Sequence, residues 1–483
     1  MPFSDPQQQT YDLIVIGTGF AGSFFLERYL AKAAASAQIL VLERGKLTEH
    51  ADRVAARATD TTALAEPYIS RTGDPDKRWI FSVGFGGGTN CWWGNAPRFL
   101  PADFEMRSRF GVGEDWPIGY DDLEPYYDRA EAILSLAGSD DAAPYRRLTG
   151  YAQPSHRLTA PEELLRQAYP HQFFSMPSAR ARVHGAGRGV CCANGICQLC
   201  PVDAKFTIQN GLMRVYEDPR VTVALAAEAL TIDHDGSVAR GVTYARNGRE
   251  QTATADLVVL AANAIFNPVI LERSSLAHPL LGRRLHEQVG VVAEAFLDGV
   301  ESFGGSTSVT GIGYMLYDDE ARRRDRAAVL LETWNVGTLR TEPGRWRQVL
   351  PLRLVLDVVP DVANTVRTNP ADPTKPQVHY IGHSAYTQKA IDQAQSDLER
   401  VLAPLPIERI VVDERLAVSE AHIIGTTSMG NDPATSIVDR DCVHHQLRNL
   451  LVLGSSTFPV GGPANPSLTI AAQAMRSADR VMV

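Results

Sequence analysis

The chain has 483 residues, of which 44% are hydrophobic and 21% are charged. This balance excludes a wholly disordered protein, and the length is enough for about two to four domains. The formal net charge of −9 argues against nucleic acid or an anionic membrane surface as the main partner, because both bind basic proteins. Since no stretch reaches the roughly 18 apolar residues of a spanning helix, we also predict no membrane segment.

Residues 1–10 form a polar segment without the basic and then apolar pattern of an export signal. An apolar strand is predicted directly after this segment, from Tyr11. We therefore expect a cytoplasmic protein, or one that reaches the periplasm already folded and bound to a small partner subunit that carries the export signal.

The first predicted elements are a strand, a helix and a second strand, which together form a βαβ unit. Residues 11–17 are apolar almost throughout, which is typical of a buried parallel strand. Residues 20–37 have the composition of a helix, and residues 38–42 form a second apolar strand. Such a unit is the usual start of a nucleotide-binding sheet.

Glycines between the first strand and the helix fit the dinucleotide-binding pattern G-x-G-x-x-G. They are Gly17, Gly19 and Gly22, and Glu43 follows about 20 residues later, at the end of the second strand. The glycines permit a tight turn and the close approach of a pyrophosphate, and the carboxylate accepts hydrogen bonds from the ribose. NAD and FAD share this pattern, and its position at the start of a long chain favours FAD.

The later elements alternate between loops, strands and single helices. In chain order we predict a glycine-rich loop (81–95), a helix (121–136), a cysteine loop (185–201), strands with two tight turns (221–261), a strand-rich segment (291–359) and two helices (392–402 and 466–481). The pattern predicts an α/β fold in which a doubly wound, Rossmann-like FAD-binding domain contains an inserted, sheet-rich substrate-binding domain. The predicted bounds are 1–290 with 410–483 for the first domain and 291–409 for the second.

Several segments resemble the glucose–methanol–choline (GMC) oxidoreductases, a family of FAD enzymes. They are the glycine-rich loop that ends in Cys-Trp-Trp-Gly (86–94), the segment that begins Trp-Pro-Ile-Gly-Tyr (116–131), the strand and turn at 258–264, and the segments 422–426 and 465–470. The resemblance extends over nearly the whole chain and is weakest over 291–409, where we assign no site residue. It implies the GMC fold, bound FAD, and oxidation of an alcohol by hydride transfer to flavin N5.

The resemblance identifies the glycine-rich loop as a flavin contact, and the contacts it implies there are Gly87, Gly88, Thr89, Asn90 and Trp93. Some members of the family attach FAD covalently through a histidine of this loop. Trp92 stands at that position here, so a histidyl link is not expected. A cysteinyl link through Cys91 is the alternative to a small, packed side chain.

A second set of FAD contacts is expected near the C-terminus. Gly454 and Ser455 are predicted to contact the phosphates or the ribityl chain of FAD. Pro466 and Ser467 suit the start of the last helix. The positive end of that helix is expected to face the flavin pyrimidine ring and to stabilise negative charge on it.

His422 and Asn465 match the catalytic pair of the family. Removal of a hydroxyl proton needs a base, and an imidazole with an ordinary pKa of about 6.5 suits this role. Cholesterol oxidases are among the relatives with Asn at the second position, where an amide orients the substrate oxygen but cannot act as a base. The resemblance therefore implies His422 as the single base and Asn465 as the orienting residue. His444 and His445 lie in a polar stretch and are predicted to be surface residues.

Four of the six cysteines are clustered in one short loop, at Cys191, Cys192, Cys197 and Cys200. Six cysteines in a chain of this length are too few for a disulfide scaffold. Thiolates in so short a loop can converge on one metal centre, and Pro201 after the last cysteine is typical of ferredoxin loops. The interpretations are an iron–sulfur cluster, which we favour, a zinc site, or four reduced thiols.

The cysteine loop resembles that of the catalytic subunits of membrane-associated bacterial FAD dehydrogenases for glucose, gluconate and fructose. In those subunits three cysteines bind a [3Fe–4S] cluster, and by position the ligands here would be Cys191, Cys192 and Cys197. Cys200 follows at a shorter spacing than in those subunits. A [4Fe–4S] cluster with Cys200 as a further ligand is therefore the alternative.

The function that we favour is an FAD-dependent dehydrogenase acting on a secondary or hemiacetal hydroxyl of a sugar or polyol. Its electrons would leave through the iron–sulfur cluster to a cytochrome-like partner subunit, because a cluster connects a two-electron flavin with a one-electron haem. One alternative is an oxidase that uses oxygen and has structural cysteines. Another is an electron-transfer flavoprotein without a substrate of its own.

Overall fold

The structure is a computed structural model that describes residues 6, 9–56, 64–140, 144–185 and 187–481. Its strands are β1 (Thr10–Ile16), β2 (Ile39–Leu42), β3 (Ser70–Gly73), β4 (Ala137–Gly138), β5 (Gln153–Pro154), β6 (Phe173–Ser175), β7 (Val221–Ala224), β8 (Ala227–His234), β9 (Ala239–Arg246), β10 (Arg249–Leu260), β11 (Val289–Leu297), β12 (Val309–Leu316), β13 (Val329–Trp334), β14 (Val349–Leu356), β15 (Thr365–Arg367), β16 (Gln377–Tyr380), β17 (Ile407–Val412) and β18 (Leu450–Val452). Its helices are α1 (Phe20–Leu30), α2 (His50–Ala56), α3 (Met106–Phe110), α4 (Tyr120–Leu134), α5 (Ala160–Ala168), α6 (Ile208–Gly211), α7 (Met213–Tyr216), α8 (Asn263–Arg273), α9 (Glu320–Asp325), α10 (Ala385–Asp392), α11 (Ala394–Val401) and α12 (Ser467–Val481). Short 3-10 helices lie at Glu66–Tyr68, Gly87–Asn90, Pro101–Phe104 and Ser455–Thr457.

The first sheet has β1 near its centre, between β2 and β10, and both neighbours are parallel to it. β7 continues the sheet beyond β2, and β18 pairs with the C-terminal end of β10, again in parallel. The first half of β10 pairs instead with the antiparallel strand β9, which pairs with β8. The parallel strands place their carboxyl ends at one edge of the sheet, where α/β folds bind nucleotides.

Helices cover this sheet and close its core. α1 packs against α12, and α12 packs against α4. The predicted first helix continued to residue 37, whereas α1 ends at Leu30. Arg220 explains the earlier end, because its guanidinium donates to the carbonyls of Leu30 at 3.1 Å and Ala33 at 3.0 Å. In a longer helix these carbonyls would accept hydrogen bonds from backbone N–H groups. Here they accept from the Arg220 side chain instead.

The second sheet is antiparallel, in the order β17-β11-β14-β13-β12-β6. One face packs its leucines and valines against α10 and α11. On the other face Glu332 and Arg353 stand opposite each other on β13 and β14. Strand β6 comes from a part of the chain well before residue 291, so this sheet recruits a strand from outside the predicted inserted domain. The domain bounds themselves stay a prediction.

A third sheet joins β15, β16 and β3, which come from distant parts of the sequence. No helix in the described ranges is long and apolar enough to cross a membrane.

Candidate active site

A cavity lies at the carboxyl ends of β1, β2 and β10. Its walls are formed by the turn after β1, the end of β2, the segment after β10, the glycine-rich loop, the loop around residue 422 and the start of α12. Nine of the predicted site residues lie on these walls: Gly17, Gly19, Glu43, Gly87, Gly88, His422, Gly454, Ser455 and Pro466. The structure therefore brings together the nucleotide motif, the glycine-rich loop and the predicted base.

The three glycines of the nucleotide motif have different surroundings. Gly17 has φ +100°, and a Cβ there would lie 2.5 Å from the carbonyl oxygen of Ala261. A Cβ on Gly22 would lie 2.1 Å from the carbonyl oxygen of Gly17, so this glycine allows α1 to pack against the turn. Gly19 lies on the cavity wall, and apart from its chain neighbours no atom of the described residues would lie within 4 Å of a Cβ there. A side chain at Gly19 would therefore occupy space that is open for a ligand.

Glu43 lies on the cavity wall with its carboxylate held in place by the protein. Oε2 accepts hydrogen bonds from Thr18 Oγ1 at 2.6 Å and from the Thr18 backbone N–H at 3.2 Å, and Oε1 accepts from the Gly45 N–H at 2.8 Å. A carboxylate has about four acceptor positions, so one remains on Oε1. That position suits a ribose hydroxyl. Together with the space at Gly19, it shows that the residues present fit the adenosine and pyrophosphate parts of FAD.

The glycine-rich loop divides into residues that line the cavity and residues that brace the loop. Gly87 and Gly88 line it. Thr89 is buried and donates to the carbonyl of Gly86 at 2.7 Å, and Asn90 donates to the carbonyl of Phe85 at 2.9 Å. These two predicted contacts thus fix the shape of the loop rather than form its cavity surface.

The loop also shows which neighbours of the predicted contacts face the cavity. Cys91 and Trp92 lie on the wall, although neither was predicted as a noncovalent FAD contact. Trp93 turns toward the second sheet, where its ring centroid lies 5.0 Å from that of Trp334. Burial raises the pKa of the Cys91 thiol, which keeps it in the unreactive protonated form. This environment does not favour a cysteinyl link to FAD.

His422 and Asn465 are brought together although they are far apart in sequence. The side-chain nitrogen Nδ2 of Asn465 lies 3.3 Å from Nε2 of His422. Nδ1 of His422 and Oδ1 of Asn465 are buried and have no hydrogen-bond partner within the described part of the chain. Burial lowers the pKa of His422 to about 4, against the opposing effect of Glu287. The imidazole is therefore neutral at neutral pH, the form that a proton acceptor needs.

The last helix begins beside this pair. Pro466, Ser467 and Ile470 line the cavity, and α12 runs from Ser467 to Val481. Its N-terminal end therefore faces the cavity, where the partial positive charge of the helix dipole stabilises a nearby anion. The predicted position of this helix start is confirmed by the structure.

His444 and His445 are not both surface residues, which corrects the prediction from their polar neighbours. His444 is only 8% exposed. Its Nδ1 accepts from the backbone N–H groups of Gln446 and Leu447, each at 3.2 Å. His445 is partly buried, and its Nε2 lies 2.8 Å from Ser436 Oγ. His444 therefore closes a buried turn, a role that a list of neighbouring residue types does not reveal.

The comparisons with known proteins agree with this geometry. Family models for the N- and C-terminal parts, both described as GMC oxidoreductase, match residues 11–290 and 360–474. The chain belongs to the GMC oxidoreductases. It is thus an FAD-dependent oxidoreductase that acts on CH–OH groups, and the predicted fold class and flavin cofactor are confirmed at the level of the family.

Individual relatives cover nearly all of this GMC oxidoreductase. Paromamine 6′-oxidase of Streptomyces fradiae is 28% identical over 98% of the chain and 91% of its own length. The fructose dehydrogenase large subunit of Gluconobacter japonicus is 24% identical over 98% of the chain and 97% of its own length. Pyridoxine 4-oxidase from Mesorbium loti has a TM-score of 0.68 at 15% identity, covering 97% of this chain and 99% of the other. This last likeness concerns the fold alone.

A polar cluster of the GMC oxidoreductase, called the polar wall here, adjoins the segment that carries His422 and was not predicted from the sequence; it consists of Glu332, Trp334, Arg353 and Glu420. Arg353 Nη1 donates to Oε2 of Glu420 at 3.2 Å, and its guanidinium lies 4.7 Å from the ring centroid of Trp334. Glu332 accepts from Trp334 Nε1 at 3.1 Å. Burial raises the pKa of Glu420 to about 7. Glu332 and Arg353 are charged residues within otherwise apolar strands. This pattern in the sequence could have indicated the polar wall.

Residues 187–201 of the cysteine loop contain no helix or strand, and the four thiols have different environments. Cys197 is buried, Cys191 and Cys200 are partly buried, and Cys192 is exposed. Cys200 Sγ accepts from the backbone N–H of Ala204 at 3.2 Å, and Cys191 Sγ lies 3.5 Å from Thr307 Oγ1. In the ranges that the structure describes, no three His, Cys, Asp or Glu side chains converge as a metal site. The thiols as placed thus do not fit a cluster, and the iron–sulfur assignment stays a prediction.

A buried lysine connects the cysteine loop with the glycine-rich loop. Lys205 Nζ donates to the carbonyl of Trp92 at 2.7 Å and to that of Gln198 at 3.2 Å. Burial lowers the pKa of Lys205 to about 8, while the nearby thiols of Cys91, Cys197 and Cys200 oppose this shift. The two loops are therefore held together by one side chain.

Proposed function

We propose that this GMC oxidoreductase oxidises a hydroxyl group of a polyhydroxylated substrate, a sugar, polyol or aminoglycoside-like compound. The observation that carries the proposal is the neutral imidazole of His422, which lines the cavity that suits FAD and lies beside the amide of Asn465. The names of two relatives support the substrate class, since one is a paromamine 6′-oxidase and another a fructose dehydrogenase subunit.

The pair has distinct roles in this reaction. Nε2 of His422 accepts the hydroxyl proton of the substrate as the C–H bond breaks, and Asn465 Nδ2 donates to the substrate oxygen and fixes its orientation. Bound FAD supplies the acceptor for the hydride. The alcohol thus loses one proton and one hydride and becomes a carbonyl compound.

The test of the proposal is anaerobic mixing of the FAD-loaded protein with a panel of sugars, polyols and aminoglycosides. We expect at least one class to bleach the flavin absorbance at a saturable rate. If the flavin stays oxidised with every hydroxyl compound but is reduced by a protein donor, the protein is an electron-transfer flavoprotein instead.

The polar wall supports a substrate with several hydroxyl groups. Arg353 offers hydrogen-bond donors near the catalytic pair, since its charge acts on His422 and it pairs with Glu420, two residues before His422. Glu420 Oε1 and Arg353 Nε are buried and lack a hydrogen-bond partner within the described ranges. Glu420 Oε1 lies against the backbone of Gly290, so Arg353 Nε is the atom that we propose a ligand hydroxyl would satisfy, and unpaired buried polar groups are costly.

Arg353→Leu should therefore raise the KM of the preferred substrate by about 10–100-fold. This factor corresponds to the free energy that a hydrogen bond to a charged group usually contributes. The measurement is steady-state kinetics with a dye acceptor. Arg345→Leu is the matched control, because Arg345 is partly exposed and pairs with Glu408 away from the catalytic pair. An unchanged KM in Arg353→Leu would remove this residue from substrate binding.

We propose that the two electrons of the reduced flavin pass to a partner protein rather than to oxygen. The Cys-Cys-x₄-Cys-x₂-Cys spacing supports this proposal, as does the contact of Lys205 with both loops. An oxidase with structural cysteines is the competing candidate, because one relative is named an oxidase.

Iron and acid-labile sulfide analysis of protein purified without air separates these candidates. Iron and sulfide in the wild type that are lost in Cys197→Ser, with flavin reduction by substrate kept within a few-fold of the wild type, would support the partner acceptor. Cys442→Ser is the matched control, because Cys442 is a buried thiol outside the loop. A wild-type protein without iron, or one that turns over rapidly with oxygen, would support the oxidase.

A further inference from the structure

The chain passes from the first sheet to the second directly beside the catalytic pair. His286 exchanges backbone hydrogen bonds with Ile424, its N–H donating at 3.0 Å and its carbonyl accepting at 2.9 Å. Glu287 and Gln288 follow, and β11 begins at Val289. Both side chains are buried, and each is directed to a different segment of the candidate active site.

Glu287 holds the loop that carries His422. Its Oε1 accepts from the backbone N–H of His422 at 2.8 Å, from the N–H of Glu420 at 2.9 Å and from Ser419 Oγ at 2.9 Å. Its other oxygen pairs with the ammonium group of Lys77. One fully buried carboxylate thus binds three of the four residues from Ser419 to His422 and fixes the backbone that carries the base.

Gln288 holds the segment that precedes Asn465. Its Nε2 donates to the carbonyl of Gly462 at 2.8 Å and to the carbonyl of Ala464 at 3.2 Å. The backbone of Ala464 leads directly into Asn465, so this amide fixes the position from which the Asn465 side chain extends.

We infer that Glu287 and Gln288 are paired positioning residues, of which Glu287 sets the place of His422 and Gln288 sets the place of Asn465. The inference rests on the proposed function, because it gives His422 and Asn465 their catalytic roles. Neither positioning residue is assigned a contact with the substrate. Since the two are adjacent in the chain, the spacing between base and amide is determined at one connection between the two sheets, the one that leads from β10 to β11.

The charges around His422 distinguish the two positioning residues. Glu287 raises the pKa of His422, whereas Lys77 and Arg353 lower it, and burial lowers it most. Glu420 lies two residues before His422 and pairs with Arg353. Loss of the Glu287 charge therefore lowers the pKa of His422 further, and the acid limb of the pH–rate profile moves to lower pH. Loss of the Gln288 amide removes no charge and leaves the acid limb in place.

The experiment compares Glu287→Gln and Gln288→Leu in the FAD-loaded protein, with anaerobic flavin reduction measured across pH. A misplacement of about 1 Å is enough to slow a reaction by about 10²-fold, so we expect a decrease of that order in each variant. The KM should change less than the rate. Only Glu287→Gln should shift the acid limb. Glu162→Gln is the control, since Glu162 is a buried carboxylate that caps α5 and should leave the profile unchanged.

Hydrogen exchange gives a readout that needs no substrate. Glu287→Gln should accelerate exchange in a peptide spanning 417–426 and leave the peptide 459–466 unchanged. Gln288→Leu should have the opposite pattern. If Glu287→Gln does not fold because Lys77 is left unpaired, Lys77→Met combined with Glu287→Gln removes both charges and keeps the exchange test available.

The outcomes separate this inference from the proposed function. If His422→Ala abolishes flavin reduction while both positioning variants react and exchange like the wild type, the positioning roles are wrong and the proposed function stands. If no hydroxyl compound reduces the wild-type flavin, the proposed function fails, and the exchange data alone decide whether the two residues hold their loops.

Discussion

Replacing His422 with alanine should slow flavin reduction by an alcohol substrate by about 10²–10⁴-fold, the usual contribution of a general base. The only neutral imidazole assigned to the pair would be lost, and Asn465 cannot accept a proton in its place. FAD should stay bound, because the nucleotide motif and Glu43 are untouched. Anaerobic stopped-flow mixing measures the rate, and the flavin absorbance of the purified protein measures retention.

A buried histidine elsewhere provides the control for this result. In His444→Asn the amide oxygen can accept in place of Nδ1, which bonds to the turn at Gln446 and Leu447. This variant should reduce its flavin at the wild-type rate. If His422→Ala stays within a few-fold of the wild type, the base must be sought elsewhere among the groups around the cavity.

The same histidine determines the expected pH dependence. Its pKa is lowered to about 4 by burial, so the imidazole is neutral at all higher pH values and charged only below about pH 4. Flavin reduction should therefore be nearly independent of pH from neutral pH down to about 5 and should fall below that range. A profile that falls near the ordinary histidine pKa of about 6.5 would show that His422 is more exposed to water during turnover.

The local parts of the site could be predicted from the sequence. Gly17, Gly19, Gly22 and Glu43 belong to one βαβ unit, so a short stretch of chain determines their relative positions. The start of α12 at Ser467 was predictable for the same reason, because helix starts are marked by the residues at the start itself. His422 and Asn465 were found only through the family resemblance. Their 3.3 Å contact depends on how the whole chain folds.

The supporting residues could not be predicted, because their roles exist only in long-range contacts. Lys77 and Glu287 are 210 residues apart in the chain, and no local pattern joins them. Gln288 looks like an ordinary polar residue before a strand until its amide is found on the carbonyls of Gly462 and Ala464. The prediction that His444 is a surface residue was wrong for the same reason. Polar neighbours in the sequence do not show that a turn at Gln446 and Leu447 buries this side chain.

The cofactor site gives the second large expected effect, and Gly19 and Gly22 provide a matched pair for it. Gly19→Val should abolish FAD retention while the fold persists. Gly19 has φ −73° and ψ −166°, an extended conformation open to any residue, and apart from its chain neighbours a Cβ there meets no atom of the described ranges within 4 Å. A ligand in the cavity is therefore the obstacle that we expect the valine to meet. Gly19→Ala should retain a reduced amount of FAD because its side chain is smaller.

Gly22→Val should instead prevent folding, because its Cβ would lie 2.1 Å from a backbone oxygen of the Gly17 turn. Flavin absorbance, far-UV circular dichroism and the thermal unfolding of the FAD-free protein distinguish the two effects. The Gly19 variants should unfold at nearly the temperature of FAD-free wild type, whereas Gly22→Val should be insoluble or lack a cooperative transition. Full flavin content in Gly19→Val would place the pyrophosphate elsewhere in the cavity. Loss of the fold in both variants would mean that Gly19 is needed for packing, contrary to the open space that the structure shows beside it.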